Sequence, residues 1–395
     1  MIELILFIYF AINTLYVLIL SIAGWAYRKK YIPPAKEYHK TGIFVPAYKE
    51  DKVIISTARH LLQLNYPKEF YDVIIIADRL KEETMAQLST MDVTVITIAE
   101  RKSNKSKSLN YAFSQIPDDK YEIAIISDAD NIPSQNFLRD VNNAFDAGYP
   151  IIQAQRVAKN TDTPVALLDA ISETINNHLF RQGAGAVGLS PSLIGSAMAF
   201  SYKLLKEELS KINSVSEDKV LQLSLIEKGY QVLYLKDTFV FDEKVSTPDA
   251  YKNQRRRWMA GQFNQIRFNF FKGFRMLFRG NVDYFHFAVW YNMLPSRILT
   301  LMALFPLSLL FTFLYYEQPI IAIRWWTITL AYVGALLVAV PSSFFTRKLF
   351  EAVINLPVVI IKTLQAVFKL RNADKVFIHT EHKTTEIDST FYHQR

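Results

Sequence analysis

A long apolar stretch near the amino terminus restricts what this chain can fold into more than any other feature. The residues from Leu4 to Ala26 are almost wholly apolar. At about 1.5 Å per residue, a helix of this length crosses the hydrocarbon core of a membrane. A signal peptide is the alternative, but the stretch is long for one and no lysine or arginine precedes it. Arg28, Lys29 and Lys30 follow at once, so the positive-inside rule predicts an outer N-terminus and a cytoplasmic chain after Arg28.

The rest of the chain has the composition of a soluble catalytic body joined to membrane segments. Half of its 395 residues are hydrophobic, yet 21% are charged. The 28 phenylalanines and 21 tyrosines suit membrane interfaces, where aromatic side chains are enriched. The basic residues behind the net charge of +8 cluster beside apolar runs, which favours membrane lipids over nucleic acid as their partner. Cysteine is absent, so disulfides, thiolate catalysis and zinc–thiolate sites are excluded.

Strand patterns alternate with helix patterns up to residue 126. The predicted strands cover residues 42–50, 72–78, 93–98 and 122–126. This alternation predicts an α/β fold with a mostly parallel sheet that is covered on both faces. Polar side chains lie where the strands end, namely Tyr48, Glu50, Asp78, Asp128 and Asp130. Because ligands bind at the carboxyl ends of parallel strands, a nucleotide is expected at this edge.

Asp128 and Asp130 stand two residues apart, directly after a predicted buried strand. Two carboxylates this close suit one Mg2+ or Mn2+ ion, because such hard cations take oxygen ligands and complete their shell with substrate phosphates. A polar turn that closes the strand is the alternative interpretation, since aspartate is a common turn residue. The motifs found elsewhere in the chain favour the metal site.

Seven motifs follow one another between residues 40 and 265. They are Val45-Pro-Ala-Tyr-Lys-Glu50, Asp78, Lys105-Ser-Lys-Ser-Leu-Asn110, Ser127-Asp-Ala-Asp130, Gly195-Ser-Ala-Met-Ala-Phe200, Ser216-Glu-Asp218 and Gln254-Arg-Arg-Arg-Trp258. Together they resemble the motifs of family 2 glycosyltransferases with a GT-A (Rossmann-like) fold. The last motif resembles that of the membrane-embedded branch, which includes cellulose, chitin and hyaluronan synthases. The chain departs from the family pattern in three places: a single acid at Asp78, no glycine in the Lys105 motif, and a serine at position 216.

The resemblance implies a role for each group of motif residues. Asp218 is expected to be the catalytic base, and Asp128 and Asp130 to bind the metal ion. The donor nucleotide-sugar is expected to contact Pro46, Tyr48, Glu50, Asp78, Lys105, Asn110, Asp128, Gln254 and Arg257. The acceptor is expected to contact Gly195, Ser196, Glu217 and Trp258.

The chemistry of these residue types suits sugar transfer from a nucleoside diphosphate. Glu50 and Asp78 can accept hydrogen bonds from a base or ribose. Arg257 can form a fork on a diphosphate, and Trp258 offers an apolar face to a sugar ring. Asp218 can act as a base within hydrogen-bonding distance of the acceptor hydroxyl.

Several of these residues have structural alternatives. Ser216 can cap a helix in which Glu217 and Asp218 are first-turn acids that favour the helix dipole. Lys105 lies in a basic stretch and is equally explained as a solvated charge. A simple turn explains the Gly195 motif nearly as well.

The membrane segments divide the chain into five predicted parts. Residues 1–30 form an N-terminal transmembrane helix, and residues 38–260 a cytosolic GT-A domain. Phenylalanines interleaved with basic residues predict an interfacial amphipathic helix at 261–284. Residues 285–347 form a transmembrane hairpin, and residues 348–395 an interfacial helix and a cytosolic tail. Three spans are therefore predicted, and Arg255 and Arg256 can simply bind anionic lipid beside them.

The hairpin is predicted to consist of a span at 285–313, broken by Pro295, Arg297 and Pro306, and a span at 320–345. Arg297 lies inside the first span, where a charge is a functional candidate by default. It would line a path for a polar acceptor, or snorkel to the cytoplasmic face. Residues 349–370 contain charges and Pro357, which predicts a kinked helix on the membrane surface; if this helix spanned, the tail would lie outside.

The tail contains His379 and His382, which could be metal ligands but are expected to be solvated. The residues around them, 375–383, resemble a cytoplasmic segment that follows the last membrane helix in these synthases. Residues after Thr384 are expected to be disordered.

These features predict a membrane-bound, inverting glycosyltransferase that extends a polysaccharide from a UDP- or GDP-linked sugar. Addition of one sugar to a lipid or lipid-linked glycan is an alternative, since three spans are few for a secretion channel. A non-catalytic nucleotide-sugar sensor is a third possibility, although the metal acids and the base are all present. The expected location is the bacterial inner membrane with the catalytic domain in the cytoplasm. The expected partners are the donor, a glycan acceptor, membrane lipids and a second copy or a secretion partner, but no nucleic acid.

Overall fold

The structure is a computed structural model that describes residues 1–99, 104–214, 216–368 and 382–388. Two compact units make up the chain. The sheet unit consists of residues 29–162, 190–245 and the described tail residues, 382–388. The helical unit consists of residues 1–28, 163–189 and 246–368.

The secondary structure alternates between strands and helices as far as residue 242 and is helical beyond it. The strands are β1 (Thr41–Tyr48), β2 (Tyr71–Asp78), β3 (Thr94–Thr97), β4 (Ile123–Ile126), β5 (Ile132–Pro133), β6 (Ile151–Ala158), β7 (Met198–Ser201) and β8 (Leu233–Asp242). The helices are α1 (Ile2–Ala26), α2 (Ile54–Leu61), α3 (Glu82–Leu88), α4 (Lys105–Ser114), α5 (Phe137–Asp146), α6 (Pro164–Asn177), α7 (Ala184–Ala186), α8 (Tyr202–Leu209), α9 (Glu217–Glu227), α10 (Pro248–Phe278), α11 (Val282–Phe285), α12 (Tyr291–Met293), α13 (Arg297–Leu314), α14 (Pro319–Val338), α15 (Arg347–Ile354) and α16 (Leu356–Phe368). The described residues also contain π-helical stretches at His178–Gly183 and His286–Trp290 and 3-10 turns at Lys68–Phe70 and Ser342–Phe344.

A mixed sheet forms the centre of the sheet unit, and its eight described strands have the order β3-β2-β1-β4-β7-β6-β8-β5. The strands from β3 to β4 are parallel, with β1 between β2 and β4. β7 is antiparallel to both of its neighbours, and β5 is antiparallel to β8. The predicted α/β fold and its first four strands are confirmed.

The residues of β1 show why the sheet is covered on both faces. Ile43 and Val45 join one hydrophobic core, whereas Phe44 joins the core on the opposite face. Successive side chains of a strand point to opposite faces, so an unbroken apolar run needs helices on both sides. Pro46 lacks a backbone N–H, and it lies beyond Phe44, where the pairing of β1 with β4 ends.

Within the described part of the helical unit, α1, α13 and α14 are long and apolar enough to cross a membrane. α15 and α16 meet at a bend of 49° and count as a fourth span only if the bent pair is taken as one. α1 and α14 run in the same direction, because Glu3 contacts Arg324 while Ser21 Oγ donates to the carbonyl oxygen of Ala335 at 2.7 Å.

Glycines bring α1 close to the π-helical stretch His178–Gly183. A Cβ added at Gly183 would lie 2.2 Å from the carbonyl oxygen of Leu20, and one added at Gly24 would lie 2.7 Å from His178. Small residues allow helix backbones in a membrane to approach this closely. Gly24 and Gly183 are therefore the positions at which α1 meets this stretch most closely.

The structure corrects three predicted helix boundaries. The span predicted at 285–313 is broken at Pro295 as expected, but the long helix α13 begins only at Arg297 and continues through Pro306. The amphipathic helix predicted to begin at residue 261 is the second half of α10, which begins at Pro248 with Thr247 as its cap. The kink predicted at Pro357 lies at residue 355 instead, because proline is tolerated in the first turn of α16.

Candidate active site

The polar residues at the strand ends meet at one edge of the sheet, as predicted. Tyr48 and Asp78 are register partners at the ends of β1 and β2, and Asp128 follows the neighbouring β4. Directly beyond the first two strands, Lys49 and Arg79 have φ angles of 56° and 58°. Non-glycine residues rarely adopt such angles, and those that do are concentrated at functional sites.

Lys105, the first residue of α4, lies at the centre of a carboxylate cluster. Its Nζ is 2.5 Å from Asp128 Oδ1 and 3.7 Å from Glu217 Oε1. It also donates to the carbonyl oxygen of Gly195 at 2.5 Å. Asn104 places Lys105 there by capping the start of α4 with its side chain. Lys105 is therefore not the solvated charge of the alternative interpretation.

Burial and charge shift the proton affinities within this cluster. Burial raises the pKa of Glu217 to about 7, with the charge of Lys105 opposing this shift and that of Asp218 adding to it. Burial alone would lower the pKa of Lys105, but Asp128 and Glu217 outweigh it, so the pKa is raised. A buried carboxyl that titrates near neutrality beside a fixed cation is typical of an active site.

Asp218 lies in the first turn of α9, beside Gly195. Its Oδ1 accepts a hydrogen bond from the N–H of Lys219 at 2.9 Å, and its Oδ2 would lie 3.5 Å from a Cβ added at Gly195. Gly195 has a φ of 79°, a left-handed conformation that favours glycine. Ser216 precedes the helix as the capping alternative predicts, but its side chain makes no capping hydrogen bond. Asp218 and Lys105 thus approach the same glycine.

Asp130 is a buried carboxylate held by backbone and side-chain donors. Its Oδ2 accepts from the N–H of Glu243 at 2.9 Å, and its carbonyl oxygen accepts from the Nζ of buried Lys159 at 2.6 Å. Burial raises the pKa of Asp130, and the charge of His382 opposes the shift. A buried carboxylate is stabilised by a nearby cation. Asp130 and Asp128 together offer the carboxylate oxygens that Mg2+ and Mn2+ take as ligands.

A chain of polar side chains behind the two acids was missed by sequence reasoning. Ser196 Oγ accepts from the N–H of Asp128 at 2.9 Å and donates to Asn131 Oδ1. Asn131 Nδ2 in turn donates to Asp242 Oδ1 at 3.1 Å. Asn131 directly follows the Asp pair, but no pattern in the sequence links it with the end of β8. Ser196 therefore supports Asp128, and its expected contact with the acceptor stays a prediction.

The described tail residues 382–388 pack on the sheet unit, so the predicted solvation of His382 and the predicted disorder of residues 385–388 are wrong. His382 Nδ1 lies 3.0 Å from Glu50 Oε1, and the N–H of Asp388 donates to the carbonyl oxygen of Lys159 at 2.7 Å. Burial would lower the pKa of His382, but Asp130 and Glu50 outweigh it and raise the pKa to about 10. The acidic edge thus attracts a cationic imidazole. His379, most of the segment 375–383 and residues 389–395 lie outside the described residues.

Tyr48 and Asp78 lie at the part of the sheet edge where the nucleoside of the donor is expected. The cationic groups of Lys49 and Arg79 lie 5.4 and 5.7 Å from the centre of the Tyr48 ring, and Arg79 Nε lies 3.9 Å from Asp78 Oδ1. Asn110 has a different surrounding. Its Nδ2 donates to the carbonyl oxygen at the end of α8 at 2.9 Å, so it joins α4 to α8.

The remaining donor and acceptor candidates, Gln254, Arg257 and Trp258, lie on α10 in the helical unit. Arg255, within the same motif, donates to Asp169 on α6, and its guanidinium carbon lies 4.5 Å from the centre of the Trp258 ring. Arg255 is thus engaged inside the helical unit and is not the lipid-binding cation of the alternative interpretation.

Arg297 begins α13 and does not lie in the middle of a span. Its Nη1 donates to Asn176 Oδ1 at 2.7 Å, and its Nη2 donates to the carbonyl oxygen of Ser172 at 3.0 Å and to its Oγ at 2.7 Å. Arg297 therefore joins α13 to α6. These hydrogen bonds explain why a charged residue is tolerated at this position. Neither the predicted acceptor path nor the predicted snorkelling is needed.

Among the described residues, Glu37, His39 and Asp146 form a group of three whose ligand atoms lie close enough together to hold a cation. Glu37 and His39 precede β1, whereas Asp146 ends α5, so the group lies at the edge of the sheet opposite Asp128. His39 Nδ1 is 2.8 Å from Glu122 Oε2, and Nε2 is 3.3 Å from Asp146 Oδ1. Because both ring nitrogens already contact carboxylates, this group is an ion-paired junction, and the metal prediction stays with Asp128 and Asp130.

The sequence from residue 39 to residue 261 matches the protein family described as "Glycosyltransferase like family 2". The match covers more than half of the chain and includes every predicted site residue from Pro46 to Trp258. The chain belongs to this family.

Two named glycosyltransferases are similar in sequence to this chain. "Probable glycosyltransferase YdaM" of Bacillus subtilis strain 168 is 23% identical over 269 residues, which are 64% of this chain and 63% of that protein. "Probable glucomannan 4-beta-mannosyltransferase 14" of Arabidopsis thaliana is 23% identical over 253 residues, which are 60% of this chain and 47% of that protein. The chain spans less than two thirds of the length of each.

A solved mannosyltransferase has a similar fold. PcManGT from Pyrobaculum calidifontis, in complex with GDP-Man and Mn2+, matches with a TM-score of 0.53 at 15% identity. The match covers 92% of this chain and 98% of that protein. With the family match, this similarity confirms the predicted GT-A fold.

Proposed function

We propose that this chain is a membrane-bound glycosyltransferase that moves a sugar, with inversion, from a UDP- or GDP-linked donor to a growing polysaccharide. The carboxylate cluster around Lys105 carries the proposal, because Asp128, Glu217 and the Gly195 backbone contact this lysine while Asp218 lies beside the same glycine. Transfer from a nucleoside diphosphate needs charge neutralisation for the leaving group and a base for the acceptor. Membership of glycosyltransferase family 2 supports the reaction class.

The donor is proposed to lie across the ends of β1, β2 and β4. Glu50 and Asp78 would accept hydrogen bonds from the base or ribose. Asp128 and Asp130 would hold Mg2+ or Mn2+, which when bound neutralises the diphosphate. Lys105 would add a point charge for the phosphates. The Mn2+ in the PcManGT complex supports this choice of ion.

Asp218 is proposed to take the proton from the acceptor hydroxyl. The oxygen then forms a bond to the anomeric carbon of the sugar, on the face opposite the diphosphate. At the same time the bond from that carbon to the diphosphate oxygen breaks, and its electron pair leaves with the nucleoside diphosphate. A single displacement of this kind inverts the configuration of the anomeric carbon.

The helical unit is proposed to hold the enzyme in a bacterial cytoplasmic membrane. α1 and α14 run in the same direction, and basic residues follow both, namely Arg28 after α1 and Arg347 and Lys348 after α14. The positive-inside rule then places these basic ends in the cytoplasm. The exposed phenylalanines of α10, such as Phe268 and Phe271, would lie in the membrane surface.

The test of this proposal is a panel of GDP- and UDP-sugars, including GDP-mannose, offered to detergent-purified protein with Mn2+ and added membrane lipids. Release of nucleoside diphosphate would be followed, and the products would be sized by mass spectrometry. We expect release with one donor and a ladder of products that differ by one sugar. A single added sugar on a lipid would support the lipid-acceptor alternative. Donor binding without release would support the sensor.

A further inference from the structure

We propose that Arg255 is a positioning residue that holds the Trp258 ring in the orientation needed to receive the acceptor sugar. The inference rests on the proposed function, in which Trp258 contacts the acceptor. Arg255 is one of the two residues between Gln254 and Arg257, and the family resemblance assigns it no role.

Three side chains of α10 form a stack on one face of the helix. Tyr251, Arg255 and Trp258 are separated by four and three residues, the spacing at which helix side chains become neighbours. The guanidinium carbon of Arg255 lies 4.6 Å from the centre of the Tyr251 ring and 4.5 Å from that of Trp258. A guanidinium this close to both rings interacts with their π electrons.

Asp169 on α6 fixes the guanidinium from the side. It accepts a hydrogen bond from Arg255 Nη2, and the side chains of Asp169 and Arg255 are only 5% and 14% exposed. Glu173, one turn further along α6, is instead bonded to Arg181 at 3.2 Å. The contact with Asp169 therefore anchors the stack to a second helix of the same unit.

The planar shape of the guanidinium is essential to this arrangement. It can lie against aromatic rings through its faces while its edge donates to a carboxylate. A lysine ammonium is compact and strongly hydrated, so it keeps the charge but cannot make both contacts. Arg255→Lys consequently removes the orientation of Trp258 while the net charge of the helix stays the same.

The first measurement observes Trp258 directly. The full chain, labelled with 5-fluorotryptophan, has five tryptophans, and Trp258→Phe assigns the 19F resonance of Trp258. We expect Arg255→Lys to shift or broaden this resonance. Arg267→Lys is the matched control, because Arg267 is an exposed arginine of the same helix whose guanidinium lies 5.7 Å from the ring of its neighbour, Phe268. The control should leave the Trp258 resonance unchanged.

The second measurement separates positioning from general loss of structure. With manno- and cello-oligosaccharides as acceptor probes, Arg255→Lys should raise the acceptor KM roughly three- to thirtyfold while kcat changes much less. Asp169→Asn keeps a hydrogen-bond acceptor at that position but removes the charge. We expect it to shift or broaden the Trp258 resonance and to raise the acceptor KM, so it replaces Arg255→Lys as the test if that variant does not fold.

An unchanged Trp258 resonance together with an unchanged acceptor KM in Arg255→Lys would overturn the inference. If the wild-type chain transfers sugar to no acceptor, the proposed function fails instead. The 19F spectra then still decide whether Arg255 orients Trp258.

Discussion

At the scale of single residues, Asp130 tests the metal assignment. Asp130→Asn keeps the size of the side chain and an oxygen for the N–H of Glu243, but it removes the charge that a metal ion needs. We expect the affinity for Mn2+, titrated by electron paramagnetic resonance, to fall by at least about tenfold. Asp92→Asn, which neutralises an exposed acid of the same unit, is the control. Equal Mn2+ affinities in the wild type and Asp130→Asn would refute the assignment.

Gly195 is a second residue whose substitution separates activity from stability. Its φ of 79° makes Gly195→Ala strained by roughly 1–2 kcal/mol, and the backbone shift would move the carbonyl that Lys105 contacts. The transfer rate should fall about tenfold or more. Gly229→Ala is the control, because Gly229 has a φ of 84° and open space around it. Both variants should have a lower melting temperature than the wild type, but only Gly195→Ala should have a lower transfer rate. Equal transfer rates in the two variants would show that Gly195 is a simple turn.

At the scale of secondary-structure elements, the ion-paired junction at His39 gives the sheet unit a pH-dependent stability. Burial would lower the pKa of His39, but its hydrogen bonds to Glu122 and Asp146 outweigh it and raise the pKa. The folded state thus binds the proton more tightly than the unfolded state. This contribution is complete below the ordinary histidine pKa of about 6.5 and is lost as the pH rises through the folded-state pKa.

The measurement compares melting temperatures of the wild type and His39→Gln across this pH range. We expect the variant to be less stable by about 1–3 kcal/mol at low pH, and the difference to shrink as the pH rises. His60→Gln is the control, since the His60 side chain, within the described part of the chain, bonds locally in α2 to the carbonyl oxygen of Ser56. A difference that is constant with pH would mean that His39 is not charged in the folded protein.

The close packing of α1 against the π-helical stretch His178–Gly183 can be tested by substituting a glycine. Gly183→Ala would place a Cβ 2.2 Å from the backbone of Leu20, which cannot move without displacing α1. We expect a loss of several degrees in the melting temperature of the detergent-purified protein. Gly334→Ala on α14 has no atom within 4 Å of the added Cβ and should be neutral. If both variants melt alike, the close approach of α1 to the π-helical stretch is not real.

At the scale of the whole molecule, periodic patterns predicted most of the fold. The apolar run that became α1 and the apolar strands β1, β2 and β4 are local signals, and each strand was followed by the polar residue that the structure places at the sheet edge. Lys105 and Asp218 could be proposed from motifs alone. Their meeting at Gly195 could not, because it depends on a contact between Lys105 and a glycine 90 positions away.

The features missed by sequence reasoning depend on contacts that are distant along the chain. Asn131 bonds to Asp242 across 111 positions, and His382 reaches Glu50 across 332 positions. Arg297 was misassigned because hydropathy does not show that α6 supplies partners for the charge. No local pattern records such partners.

The most direct test of the proposed reaction is nucleoside diphosphate release by the wild type and by Asp218→Asn, each purified in detergent with Mn2+ and the donor panel. Asparagine keeps the shape of the side chain but cannot take the acceptor proton. We predict release by the wild type with one donor, and a rate in Asp218→Asn that is lower by about 10^2–10^4-fold although the variant still binds that donor. Full activity of Asp218→Asn, or no release by the wild type with any donor and added membrane lipids, would contradict the proposal.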